Sequence, residues 1–423
     1  MARILLTTIG VRGDLNPFMA VANGLRARGH EAVFAVESAM ESAVLDEGFA
    51  NRRLSGDVMR DLSPHLGSIL GGSTALGAAR PIVREWLTNG LEAKVNDLVA
   101  AGTDVDLMIA RAAHLAAPIA AERLGIPWVQ LTMTALTLPS AYANPFLMRT
   151  PSGSVARVMN RGCWNVLEFT TRRLADARVN QARSAFGLGP AHDVMGRGGH
   201  STALTALVIS PSISPPRPDW LPHVQVTGYC FWDVPAGWSE PSDLSTFLEG
   251  GDPVVAVSFG SIAPFVGDAL ATLYDVAVDA VLAAGARALV IGNRRQVNER
   301  VHCIPFAPLS SVYRRCAAAI HHGGPYTLAE ALRAGIPSLA VPWGIDQFVS
   351  AGELVRSGAG RARRARRFSP AAARREATAI LDESAYRRRA EALAVSVHRE
   401  NGVETLCEKV EAILARSRQA SKA

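Results

Sequence analysis

Hydrophobic and polar positions alternate along this chain in blocks. Residues 3–9, RILLTTI, form an almost unbroken apolar run bounded by Gly10 and Gly13. That is the pattern of a buried strand. A helix follows, with Pro17 near its first turn and Phe18, Val21 and Leu25 at helical spacing until Gly29 stops it. The pattern then predicts Glu31–Val36 as a second strand. Strand, glycine turn, helix, strand is the order of a parallel sheet with crossover helices.

The block pattern recurs. It predicts strands at Asp106–Ala110, Pro127–Thr132 and Ala203–Ile209, with a helix at Leu115–Leu124. After the Pro-rich stretch Ser210–Pro222 comes VTGYCFWDVPAGWSEPSD, dense in Pro, Gly and Trp and without a period, which reads as a linker. The alternation restarts at Val254–Ser258, followed by SFGS and a helix to about Ala284, with further strands at Ala288–Ile291, Ala318–His321 and Ser338–Val341. The expected fold class is α/β, with two Rossmann-like doubly wound domains facing a central cleft. The expected boundaries are 1–228, a linker at 229–253, and 254–423, the last helix packing back on the first domain. Ligands of such sheets bind at the carboxyl ends of the strands.

Composition narrows the function. The 423 residues, 48% hydrophobic and 19% charged, suffice for two or three domains with large cores and exclude wholesale disorder. No apolar run reaches the ~18 residues of a membrane span, and the opening MARILLTTIG is too short an apolar run, without a cleavage site, for a signal peptide. The net charge of +6 is concentrated at Arg361, Arg363, Arg364, Arg366 and Arg367, a run that reads as a solvated face. An anionic membrane surface stays open as a partner. Nucleic acid would need a wider basic stripe and a reading motif, and neither is present. Five cysteines without C-x-x-C spacing argue against a disulfide framework or a zinc site and for a cytoplasmic location.

The densest chemistry lies in IHHGGPYTLAEALRAGIPSLAVPWGIDQF, residues 320–348. A strand ends at His321 and His322, and Gly323 and Gly324 precede a helix carrying Thr327. A helix start after glycine is an anion site, because its N–H groups and dipole point outward. Glu330, one turn further on, suits ribose hydroxyls. Asp346 and Gln347, after the next strand, suit several sugar hydroxyls at once.

This segment resembles the nucleotide-sugar signature of the UDP-glycosyltransferase superfamily (glycosyltransferase family 1, GT-B fold), in its bacterial antibiotic, rhamnolipid and sterol branch. The resemblance spans nearly the whole chain: GVRGDLNPF at 10–18, ERLGIPWV at 122–129, DWLPHVQVTGYCF at 219–231, SFGS at 258–261 and IPFAPLSSV at 304–312. It implies that His322 bonds the donor diphosphate and that Gly323, Gly324 and Thr327 form the phosphate nest. Glu330 would hold ribose, and Phe306 and Pro308 would flank the base. Ser258, Gly260 and Ser261 would approach the diphosphate from the other side, and Asp346 and Gln347 would grip the hexose. The chain departs from its bacterial relatives at Pro325-Tyr326, where they usually carry Ala-Gly. Proline removes an N–H from the nest, and tyrosine adds bulk there. The resemblance also implies inverting, metal-independent transfer from a dTDP-sugar or UDP-sugar co-substrate, with no cofactor.

Transfer to an alcohol needs a base beside the nucleophilic oxygen. Asp14, in Gly10-Val11-Arg12-Gly13-Asp14, is the candidate by resemblance to the antibiotic branch; its alternative role is to cap the helix beginning near Pro17. Arg12 either contacts the donor phosphate or fixes the loop. His114 is a second catalytic candidate, whereas His30 lies on the opposite edge of the sheet and reads as structural. Residues 56–95 and 133–175 are the expected acceptor side. There, Gly-rich 64–82 and apolar 133–148, with Tyr142 and Phe146, suit a hydrophobic or sugar-like small molecule. Two other classes remain: a non-catalytic nucleotide-sugar-binding relative, and a GT-B-like enzyme that hydrolyses or isomerises the donor. A dehydrogenase is disfavoured because G-x-G-x-x-G is missing.

Overall fold

The computed structural model describes residues 1–57, 63–64, 80–146, 153–233, 235–261, 268–292 and 298–420. The chain forms two compact units. One holds the described residues of Met1–Phe146 and Thr150–Trp232 together with those of Asn401–Ala423, and the other holds those of Asp233–Glu400.

The first unit is built on strands β1 (Arg3–Thr7), β2 (Glu31–Ala35), β3 (Ala50–Asn51), β4 (Leu107–Arg111), β5 (Trp128–Thr132), β6 (Leu204–Leu207) and β7 (Val224–Val226), in sheet order 3-2-1-4-5-6-7. Every pairing is parallel. Alternate residues of β1 explain its continuous apolar run. Ile4 and Leu6 enter one core with Phe18 and Leu25, while Leu5 enters the core on the opposite face with Val33 and Met108. A strand covered on both faces has no polar side.

The first helix runs from Arg12 to Ala27 and so begins five residues before Pro17. Pro17 lies in its second turn, where the ring forgoes only the bond to the Gly13 carbonyl. The C-terminal helix Gly402–Ala420 belongs to this unit. It buries Leu406, Cys407, Val410, Ile413 and Leu414 in the core that holds Phe18. Arg28 clamps it through Glu411 at 2.7 Å and through Glu404.

The second unit carries β8 (Val254–Ser258), β9 (Arg287–Ile291), β10 (Val301–Ile304), β11 (Ala318–His321), β12 (Ser338–Ala340) and β13 (Gly360–Ala362), in the order 10-9-8-11-12-13. It too is wholly parallel. The stretch expected to be a linker contains the helix Ser242–Glu249, whose Leu244 and Leu248 enter this unit's core beside Val254 and Leu289. Two turns of helix give too short a period to stand out among the prolines. The basic run is partly absorbed as well. Arg361 pairs with Glu376, and the Arg364 guanidinium lies 5.0 Å from the Phe348 ring. No described helix is long and apolar enough to cross a membrane.

Candidate functional site

In each sheet the strand order reverses once, between β1 and β4 in the first unit and between β8 and β11 in the second. At such a reversal the neighbouring loops leave in opposite directions and open a crevice at the strand ends. Of the residues singled out from the sequence, Asp14 follows β1 at the first reversal, and Ser258, Gly260, His322, Gly323 and Gly324 end or follow β8 and β11 at the second.

In the second unit, Ser258 and His321 are register partners at the ends of β8 and β11. His322 follows, half-buried, with its ring between two glycines. A Cβ on Gly260 would lie 2.7 Å from the ring, and one on Gly324 would lie 2.4 Å from Nε2. Neither position accepts a side chain while the ring stays where it is. The ring donates to the Ser258 backbone carbonyl, and Nδ1 is buried without a partner. Burial pulls the imidazole down to about 4, so at neutral pH it is uncharged. His321 is fully buried, and its Nδ1 accepts the Gly323 N–H at 3.0 Å, which pins the glycine turn at φ +84. Tyr274 holds the other wall: its hydroxyl accepts the Phe259 N–H and donates to the Ile291 carbonyl, both at 3.0 Å.

Gly324 is the N-cap of the helix Pro325–Ala334, and Pro325 is its first residue. The first i→i−4 bond is Leu328 N–H to Gly324 O at 2.9 Å. Proline at the first helical position gives up an N–H that has no intrahelical partner in any case. The expected damage to the anion site therefore reduces to one donor, with the N–H groups of Tyr326 and Thr327 still ahead of the first bonded one.

Glu330 is 2% exposed and held within its own helix. Arg333 reaches its Oε2 through Nε at 3.1 Å and Nη2 at 2.9 Å. The Tyr326 hydroxyl donates to the same carboxylate. Arg333 is pinned from its other side by Asp233 at 2.6 Å. Burial pushes the Glu330 carboxyl up to about 7, against the opposing pull of Arg333 and Tyr326.

Around the same strand ends, Phe306 is 39% exposed after β10, and Pro308 caps the short helix Leu309–Val312. Gln347 lies at the start of the helix Ile345–Ser357, and its side-chain carbonyl accepts the N–H groups of Trp343 and Gly344, each at 2.9 Å. That oxygen is committed to the cap. Asp346 is half-buried beside it, and Ser261 is exposed.

In the first unit, Asp14 is the third residue of its helix. Its Oδ2 accepts the Val11 N–H at 3.0 Å, so it does cap, from inside a helix that begins earlier than expected. Its Oδ1 takes Arg111 Nε at 3.1 Å and Nη2 at 2.9 Å. Gly10 is required here, since a Cβ would fall 2.2 Å from Oδ2. Arg111 was missed in the sequence. It ends β4, 97 positions away, and only the β1–β4 pairing brings it to Asp14. Arg333 was also missed, although its i+3 spacing from Glu330 is a local signal.

His114 is placed differently from Asp14. It is 3% exposed and lines a small cavity of about 20 Å³ with Gln130, Thr137, Met195 and His200. Burial, reinforced by Lys94 and Arg111, pulls it down to about 3. Of the expected acceptor residues, Tyr142 is 46% exposed with the Arg157 guanidinium 5.8 Å from its ring, and Phe146 is half-buried. Most of 64–82, together with 147–152, lies outside the described residues.

Comparison with known proteins bears on this geometry. Residues 4–142 match the glycosyltransferase family 28 N-terminal domain, and residues 268–412 match the erythromycin biosynthesis protein CIII-like C-terminal domain. An O-mycaminosyltylonolide 6-deoxyallosyltransferase of Streptomyces fradiae is 32% identical, over 97% of both chains. The glycosyltransferase GtfE of Amycolatopsis orientalis is 30% identical over 85% of each. Among solved structures, the glycosyltransferase VinC, in complex with dTDP, superposes with a TM-score of 0.69 at 20% identity, over 98% of this chain and 100% of that one. The chain therefore belongs to the UDP-glycosyltransferase superfamily and is a glycosyltransferase of the antibiotic-biosynthesis type with the GT-B fold.

Proposed function

We propose that this enzyme transfers a hexose or deoxyhexose from a nucleoside-diphosphate sugar to a hydroxyl of a small molecule, with inversion and without a metal. The observation that carries the donor half is the His322 seat. Two glycines leave room for nothing but the imidazole, beside a helix N-terminus that directs N–H groups outward. A leaving diphosphate gains its negative charge as the glycosidic bond breaks, and oriented N–H donors stabilise that charge without reorganising. Glu330 would hold the ribose, Phe306 would flank the base, and Asp346 with the Gln347 amide would face the sugar.

Asp14 is the proposed base. The acceptor oxygen attacks the anomeric carbon from the face opposite the diphosphate, and its proton passes to the carboxylate. Arg111 fills Oδ1, while Oδ2 has one protein donor at 3.0 Å. A carboxylate oxygen accepts two, so capping and proton transfer are compatible. The name of the Streptomyces fradiae relative, a sugar transferase acting on a macrolide lactone, favours a polyketide-like acceptor.

The test is release of dTDP or UDP from the corresponding hexose donors across a panel of hydroxylated polyketide, sterol and cyclitol acceptors. Wild type should turn over with at least one acceptor, and Asp14→Asn should lose about two to four orders of magnitude in kcat. Turnover by Asp14→Asn within a few-fold of wild type would remove Asp14 from the chemistry.

A further inference from the structure

One cavity of the first unit gathers polar groups that the proposed chemistry does not use. It measures about 20 Å³, and His114, Thr137 and His200 line it from three separate segments. His114 stands in the turn between β4 and the helix Ala116–Leu124, Thr137 ends the turn Ala135–Thr137 after β5, and His200 lies just ahead of β6. We propose that these three side chains form a binding site for one buried water, which ties the Ala135–Thr137 turn to the turn that carries His114.

Each of the three carries a buried atom without a partner among the described residues: His114 Nε2, Thr137 Oγ1 and His200 Nδ1. His114 is 3% and His200 9% exposed, and burial keeps both rings uncharged at neutral pH. His200 Nε2 donates to the Thr137 carbonyl at 2.7 Å, so its Nδ1 offers a lone pair, which turns away an anion. No described carboxylate lines the cavity and the Arg111 guanidinium does, which disfavours a cation. A water donates two bonds and accepts two, so it serves all three atoms whichever nitrogen of His114 carries the proton. The space fits as well, since a buried water needs about 10–15 Å³ and two to four polar partners. Ala113, also on the cavity wall, has φ +66. Alanine holds that left-handed conformation only where its surroundings fix it, and His114 follows it directly. His114 is then an anchor rather than a second proton acceptor. The Ala135–Thr137 turn lies within residues 133–148, so the water would steady the expected acceptor side; that consequence rests on the acceptor reading, and the water site does not.

High-resolution crystals of the wild type should show one omit-density peak within ~3.2 Å of all three atoms. A dry cavity, or a peak bonded to fewer than all three, overturns the site. Hydrogen exchange tests what the water does, and it needs neither donor nor acceptor. Thr137→Val keeps the shape of the side chain and removes its hydroxyl. Amides of residues 135–146 should then exchange at least about tenfold faster, while those of Gly402–Ala420 keep the wild-type rate. Thr137→Ser, which restores the hydroxyl, should exchange as wild type does. Unchanged exchange at 135–146 in Thr137→Val, a rise shared with Gly402–Ala420, or fast exchange in Thr137→Ser overturns the role of the water in holding the turn. Neither measurement depends on sugar transfer, so the donor and base readings stand or fall separately.

Discussion

At the scale of single residues, the surroundings of each polar group decide what it can do. Gly324 has φ −59 and ψ 140, a backbone that alanine adopts without strain. The obstacle to Gly324→Ala is therefore the contact alone, a Cβ 2.4 Å from His322 Nε2. Forcing a methyl into a filled site costs about 1–3 kcal/mol. Gly324→Ala should lower the melting temperature and weaken dTDP binding as His322→Ala does; unchanged dTDP affinity would mean that the ring is not fixed by its glycine seat. Glu330 gives a pH signature. Its carboxyl is raised from 4.5 to about 7, so folding takes up a proton between those values. The stabilisation is complete below about 4.5 and is lost as pH rises through 7, a change on the order of 3 kcal/mol. Glu330→Gln removes this descent. The melting temperature of the variant relative to wild type should climb by several degrees from pH 5 to pH 8, and parallel curves would contradict the raised value.

At the scale of elements, the strands were legible because a parallel sheet covered on both faces needs unbroken apolar runs. The glycine turns were legible as well, since Gly10 and Gly323 hold positive φ values of 118° and 84°. What escaped was either too short or too distant. The eight-residue helix Ser242–Glu249 has two turns and no lasting period. Pro325 looked harmful until the helix start was fixed at that residue, where its missing N–H matters least. The C-terminal helix offers a test in which two effects oppose. Helix propensity alone makes Gly24→Ala stabilising by about 1 kcal/mol. The structure puts that methyl 2.5 Å from Val403 Cγ1 and 3.0 Å from Cys407 Sγ. The contact should win, lowering the melting temperature, and Gly24→Ala/Val403→Ala should recover it. A stabilised single variant would show that Gly402–Ala420 does not pack on the first helix as described.

At the scale of the whole molecule, two sheets of the same kind carry different chemistry at the same topological place. The β1–β4 reversal holds a carboxylate paired with arginine. The β8–β11 reversal holds a neutral histidine beside a helix N-terminus. Family and donor-type chemistry were readable from local motifs because each motif sits in one loop. The Asp14–Arg111 pair was not, because it exists only once β1 and β4 are side by side. This division of labour can be tested without knowing the acceptor. The measurement is calorimetric titration of dTDP into wild type, His322→Ala and Asp14→Asn. In the complex the neutral ring's one N–H would leave the Ser258 carbonyl for a phosphate oxygen, and losing that charge-assisted bond should weaken the His322→Ala complex by about tenfold to a hundredfold, while Asp14→Asn should bind dTDP as wild type does. Full affinity in His322→Ala, or an equal loss in Asp14→Asn, would contradict this division of labour.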